Sequence, residues 1–145
     1  MRLAGTEYNL KDKTFDIFIS GCNRKCKGCF NPEAQDFNFG EKLDRTSLFI
    51  KIFENTEIIK SIRIMGGDLL CQGGGEARFF IEVLKHKFVD KELVLYTGAK
   101  INEIPRWCFY YFDKIKYGPY VESLKCQDKP YGSSNQGIIT KGIDY

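Results

Sequence analysis

The chain has 145 residues, 43% of them apolar and 28% charged, with a net charge of +3. That length suits one domain with its own core, and the composition excludes disordered, fibrous and collagen-like classes. The charge is mild and dispersed, so the dense basic footprint of a nucleic-acid-binding protein is absent.

No run approaches the ~18 apolar residues that a membrane-crossing helix needs. The first twenty residues mix Arg2, Glu7, Lys11, Asp12 and Lys13 with apolar positions, which does not match a secretory signal. The expected location is therefore cytoplasmic, where thiols stay reduced. Six cysteines in that setting point to metal binding or redox chemistry before disulfides.

In chain order, "TFDIFIS" (14–20) is short, apolar and β-prone and predicts a strand. Residues 44–56 predict a helix, with Asp44 as N-cap and Leu48, Phe49, Ile52 and Phe53 on one face. Residues 57–65 return to strand through the alternation of Ile62 and Ile64, and 76–88 predict a helix burying Ala77, Phe80, Ile81, Leu84 and Phe88. "KELVLYT" (91–97) reads as a strand covered on both faces. Residues 101–112 predict a helix with Pro105 in its first turn, 112–117 a fourth strand and 137–140 a possible fifth. Strands alternating with helices argue for parallel βαβ units and an α/β class in a single domain, 1–145.

Ligands in such folds sit beyond the carboxyl ends of the strands. The first predicted strand runs into "GCNRKCKGCFNP", the second into Gly66-Gly67-Asp68, the third into Thr97-Gly98 and the fourth into Gly118-Pro119. Every chemically unusual segment falls on one edge. Cys22, Cys26 and Cys29 lie at spacings of four and three, with no fourth cysteine or histidine nearby in the sequence. A closed zinc site needs four ligands, and a cubane cluster usually takes four thiolates. Three leave a metal position open. The competing readings of the triplet are a zinc site completed by a distant residue, or inert thiols. Gly73-Gly74-Gly75 lacks the Lys-Ser/Thr of a P-loop and reads as a hinge. Cys71, Cys108 and Cys126 read as small buried or half-buried residues, and His86 as a surface residue of a helix.

Cys-x3-Cys-x2-Cys after the first predicted strand resembles the signature of radical S-adenosylmethionine enzymes. That resemblance implies a partial βα barrel with a mostly parallel sheet. It also implies a 4Fe-4S cluster on Cys22, Cys26 and Cys29, and S-adenosyl-L-methionine chelating the open iron. "MGGDL" is similar to the family's glycine motif, carried here by Gly66, Gly67 and Asp68. Gly28 and Phe30 would border the adenine, and Thr97 and Gly98 are further cofactor candidates. Together with "LYTG", "YGPYVE" and the tail "YGSSNQGI", the motifs occur in the order seen in activating enzymes of anaerobic (class III) ribonucleotide reductase. The family-specific tail is Gly132, Ser133, Ser134, Asn135 and Gln136. Two positions depart from the family pattern: Leu69 replaces the usual proline, and Tyr117 the usual aspartate.

The resemblance implies an oxidoreductase that makes a glycyl radical on the reductase, with a flavodoxin-like protein as electron donor. Alternatives are a radical enzyme acting on another glycyl-radical protein or a small molecule, and a non-catalytic iron–sulfur or zinc module.

Overall fold

The structure is a computed structural model that describes residues 1–126 and 132–145. Seven strands form one mixed sheet: β1 (Arg2–Asn9), β2 (Thr14–Ile19), β3 (Glu41–Lys42), β4 (Ser61–Gly66), β5 (Glu92–Tyr96), β6 (Lys114–Tyr117) and β7 (Gly137–Thr140). Their order is β3-β1-β2-β4-β5-β6-β7. The central four, β2, β4, β5 and β6, pair in parallel, while β1 and β7 add antiparallel on either side. Three helices connect the parallel strands: α1 (Arg45–Glu54), α2 (Gly74–Lys87) and α3 (Arg106–Tyr111). The α/β class and the parallel centre of the sheet agree with the sequence reading, while three of its six pairings, β1–β2, β1–β3 and β6–β7, are antiparallel.

The register explains how this sheet buries one face. Ile17 sits opposite Ile64, Ile64 opposite Leu95, Leu95 opposite Ile115 and Ile115 opposite Ile139. This row, with Phe15, Ile19, Ile62 and Leu93, shares one core with Leu48, Phe49 and Ile52 of α1, Phe80, Ile81 and Leu84 of α2, and Cys108 and Tyr111 of α3. Side chains alternate along a strand, so the next row faces the other way. That row is Asp16, Arg63, Val94 and Lys114. Its charges are paired on the sheet itself. Arg63 donates from Nε and Nη2 to the two carboxylate oxygens of Asp16, each at 2.6 Å. Lys114 Nζ lies 2.9 Å from a Glu92 oxygen. The helix-free face is thus polar, and β4 alternates instead of being apolar throughout.

Local signals set the helix starts. Asp44 caps α1, its carboxylate accepting from the backbone N–H groups of Thr46 and Ser47. Gly73 is the N-cap of α2 and Gly74 its first residue, so the glycine triplet opens the helix instead of standing before it as a hinge. His86 is exposed in the last turn of α2, as expected.

Several expectations need correction. Residues 57–60 belong to the turn after α1, and the second predicted strand begins only at Ser61. Pro105 is the N-cap of α3, and a short 3-10 turn at Ile101–Glu103 precedes it, because proline cannot donate within a continuing helix. Phe53 is 51% exposed rather than on the buried face of α1. Strands β1 and β3 were not expected. β1 forms a hairpin with β2 although Ala4 and Gly5 weaken its strand propensity, so its pairing partner, not its own pattern, makes it a strand.

Ile64 lies at the centre of the buried row and is fully buried. Ile64→Ala is expected to cost about 2–5 kcal/mol, measured by urea denaturation of the cofactor-free chain.

Candidate metal centre and its cavity

The loop that follows β2 is held by its own backbone. Gly21 N–H donates to Ala34 O at 2.7 Å and Cys22 N–H to Gln35 O at 3.0 Å, closing the cysteine segment into a loop. Within it Lys25 has φ 52° and Gly28 φ 73°, and Cys29 N–H donates to Cys26 O at 3.3 Å. Cys22, Cys26 and Cys29 are half-buried free thiols. All three line one cavity of about 250 Å³.

The parallel strands deliver the rest of the wall. Gly66 ends β4 with φ 102°, where a side chain is strained, and an added Cβ would stand 2.6 Å from the backbone of Ile19. At Gly67 a Cβ would come within 2.5 Å of Gly21 O and 2.6 Å of Ala34 O. Gly66 is therefore required by the close approach of the β4 end to β2, and Gly67 by its close approach to the loop after β2. Gly67 N–H donates to Ile19 O at 2.7 Å and Asp68 N–H to Gly21 O at 3.0 Å. Thr97 and Gly98 arrive from β5, and Lys116 from β6.

Asp68 lines the cavity but is 1% exposed, and its carboxylate is taken up by the protein. Arg24 Nε donates to it at 2.8 Å, Gly98 N–H at 2.9 Å, Thr97 Oγ1 at 2.9 Å and Leu70 N–H at 2.9 Å. One side chain therefore joins the cysteine loop, the β4 end and the β5 end. The Arg24 guanidinium loses solvation by burial, but the attraction and hydrogen bond of Asp68 outweigh this and raise its pKa. Gln72 is a second brace, its amide donating to the carbonyls of Ser20, Gly21 and Asp68 at 3.0–3.1 Å.

Of the residues singled out by sequence, Phe30, Gly66, Gly67, Asp68, Thr97 and Gly98 line the cavity with the cysteines. Gly28 does not; it sits against Glu122. Within the tail, Gly132 and Gln136 reach the cavity. The remaining tail residues hold its rim in place: Asn135 donates to Pro119 O at 2.8 Å, Gln136 to Gly118 O at 2.7 Å, and buried Ser133 accepts from Val121 N–H at 3.2 Å. Ser134 is exposed, its N–H bonded to Leu124 O, and Tyr131 of the tail string lies outside the described residues. Of the two departures from the family pattern, Leu69 is buried in the core, and Tyr117 packs over Gly137 away from the cavity.

Sequence reasoning missed Arg24, Tyr96, Lys116 and Tyr120, all of which line the cavity. The alternation along β6 could have found Lys116, since Ile115 faces the core. Tyr120 stacks near Phe30, with ring centroids 4.8 Å apart, and together they form an aromatic wall. Burial pushes the Lys116 ammonium down to about 8, with the charges of Asp68 and Cys26 opposing that. Among the described residues no carboxylate pairs with it.

Cys71 is half-buried, as expected, but its position beside the cysteine loop was not foreseen. It stands beside Cys22, and the two sulfurs and an Asp68 oxygen all lie within 4.8 Å of one another. The Cys71 thiol donates to Asn23 Oδ1 at 3.1 Å. A hydrogen bond from Cys22 to the ionised form lowers Cys71 to about 7, against burial, while the same contact and burial push Cys22 up.

A family model described as a 4Fe-4S single cluster domain matches residues 13–139. The chain belongs to this family. Three relatives bear the name anaerobic ribonucleoside-triphosphate reductase-activating protein. The one from Haemophilus influenzae is 28% identical over 130 residues, covering 84% of each chain. That of Enterobacteria phage T4 is 28% identical over 125 residues, covering 84% of this chain and 80% of its own. The Pasteurella multocida protein is 29% identical over 141 residues, covering 89% and 87%. Cys22, Cys26 and Cys29 share one cavity, whereas the group of ligand atoms lying mutually within 4.8 Å among the described residues is Cys22, Asp68 and Cys71.

Two measurements test this architecture in the cofactor-free chain. Asp68→Ala leaves Arg24 only its 3.7 Å ion pair with Glu103 and Thr97 and Gly98 without an acceptor, and is expected to cost about 3–5 kcal/mol in urea denaturation, with Asp68→Asn costing less. Lys116 supplies a pH dependence. Between pH 8 and its ordinary pKa near 10.5 the unfolded state binds more protons than the folded one. Its contribution to stability therefore rises with pH across that window. Lys116→Met is expected to remove the rise and to stabilise the chain at pH 7.

Proposed function

We propose that the chain is a radical S-adenosylmethionine activating enzyme that generates a glycyl radical on anaerobic ribonucleotide reductase. The observation that carries this reading is the cavity itself, where three half-buried thiols and the glycine-rich end of β4 face one space. The donor set fits a cluster with one iron left open, because three thiols line the cavity while Cys71, beside Cys22, does not line it and the Asp68 carboxylate is taken up by Arg24, Thr97, Gly98 and Leu70. Gly66 and Gly67 bring backbone to the cavity wall where a side chain would collide with the backbone of β2 at Gly66 and of the loop after β2 at Gly67. The seven-stranded open sheet, with helices on one face and a polar row on the other, is consistent with a partial radical-enzyme barrel.

In this reading Cys22, Cys26 and Cys29 hold the 4Fe-4S cluster. When bound, the cluster and S-adenosylmethionine supply the one-electron cleavage and the hydrogen abstraction from a glycine of the partner. The chain's own residues bind, orient and shield. Lys116 offers a half-buried cation to an anionic group of the cavity's occupant, and Phe30 with Tyr120 offers apolar surface to an adenine ring. Asp68, through Arg24, Thr97 and Gly98, fixes three walls relative to one another, so it positions the site without reaching for the ligand. The rim held by Asn135 and Gln136 is where the reductase would meet the cavity, and the names of the relatives support that partner. A flavodoxin-like donor would supply the electron. Among the described residues no helix is long and apolar enough to cross a membrane.

The test is anaerobic reconstitution with iron and sulfide, reduction with dithionite, addition of S-adenosylmethionine and quantification of 5′-deoxyadenosine. The wild type is expected to yield it and Cys26→Ala to yield none. Adding a class III reductase should then give a glycyl radical signal by electron paramagnetic resonance. Tightly bound zinc with no deoxyadenosine would instead support a closed metal-binding module, with Cys71 as the added ligand.

A further inference from the structure

The cavity and its cysteines are absorbed by the proposed function, but Cys71 is not. It lies 49 positions from Cys22 in sequence, yet its sulfur stands within 4.8 Å of the Cys22 sulfur. The contact is built into the fold. Asp68 N–H donates to Gly21 O at 3.0 Å, and the Gln72 amide donates to Ser20 O and Gly21 O at 3.1 and 3.0 Å. These bonds clamp the backbone on the N-terminal side of Cys22 to the backbone on both sides of Cys71. The seat of each thiol is fixed as well. Cys22 N–H is held by Gln35 O at 3.0 Å, and Cys71 N–H by Asp68 O at 3.1 Å in the turn Leu69–Cys71. Both thiols are half-buried and free, whereas Cys108 is fully buried.

We infer that Cys22 and Cys71 are a reversible disulfide site, formed in the metal-free chain by hydrogen peroxide. The step balances as two reactions. Peroxide first oxidises the Cys71 thiol to a sulfenic acid, its O–O bond breaking with release of one water. The Cys22 sulfur then displaces the sulfenic hydroxyl, forming the S–S bond and releasing a second water. Two thiols lose two electrons and two protons in total, and peroxide takes both. Side-chain rotation within the clamp must bring the sulfurs to the ~2.05 Å of a disulfide. The bond would keep Cys71 off the irreversible branch to sulfinic acid, and a thiol reductant would restore it. Its consequence for metal uptake rests on the proposed function, since it requires Cys22 to be a cluster ligand.

The full-length metal-free chain, reduced and then freed of reductant, is treated anaerobically with one equivalent of hydrogen peroxide. Trypsin places Cys22 on residues 14–24 and Cys71 on residues 64–78, apart from Cys26 and Cys29, so non-reducing peptide mapping reads the partner directly. The expected result is a dominant 14–24/64–78 crosslink and the loss of two of the six titratable thiols, restored by dithiothreitol. Cys22→Ser is expected to lack the crosslink and to leave a dimedone-reactive sulfenic acid at Cys71. A crosslink joining Cys22 mainly to Cys26 or Cys29, or no crosslink at Cys22, would overturn the inference. Iron and sulfide uptake separates the two readings. If the oxidised wild type takes up a cluster as readily as the reduced chain, the cluster role of Cys22 fails, whereas the mapped crosslink still establishes the disulfide.

Discussion

The buried carboxylate of Asp68 is the constraint on which the candidate site depends. A charge removed from water is tolerated only when its oxygens are fully partnered, and here the partners come from three separate segments. Arg24 brings the cysteine loop, Leu70 the turn after β4, and Thr97 with Gly98 the end of β5. Because the partners converge on one small group, the walls are fixed relative to each other to within a hydrogen-bond length. A cavity lined by flexible loops acquires a defined shape this way.

The sheet supplies the frame for that convergence. A single residue row, Ile17 to Ile139, buries one face against the helices, and the parallel pairing of β2, β4, β5 and β6 places their carboxyl ends side by side. The opposite row carries Asp16, Arg63, Glu92 and Lys114, whose mutual ion pairs let charged side chains sit on a sheet without helices above them. At the carboxyl end this polar row continues into Tyr96 and Lys116, which turn toward the cavity. Core packing and cavity chemistry are thus two faces of the same alternation.

The tail residues 132–136 show how a polar segment can serve a site mostly without touching its contents. Asn135 and Gln136 donate to Pro119 and Gly118 carbonyls, and Ser133 accepts from Val121, so the loop after β6 is tied down from behind. Only Gly132 and Gln136 face inward. A motif recognisable in sequence is here largely a clamp on the rim.

Sequence alone determined the α/β order, the N-cap of α1 at Asp44, the buried stripe of α2, and the clustering of Cys22, Cys26 and Cys29 beside a glycine-rich strand end. These features are local: helical and strand periods, capping chemistry and cysteine spacing are written within a few residues of one another. Gly66 and Gly67 were visible as glycines, but the reasons for them, the Ile19 backbone against Gly66 and the carbonyls of Gly21 and Ala34 against Gly67, belong to the packing of segments distant in sequence. Strand β1 exists because β2 offers it hydrogen bonds, which no pattern within residues 2–9 announces. Only tertiary structure placed Lys116 in the cavity, surrounded the Asp68 carboxylate with Arg24, Thr97, Gly98 and Leu70, and set Cys71 against Cys22. Each of these depends on strand register, and register is decided by which face the whole sheet can bury.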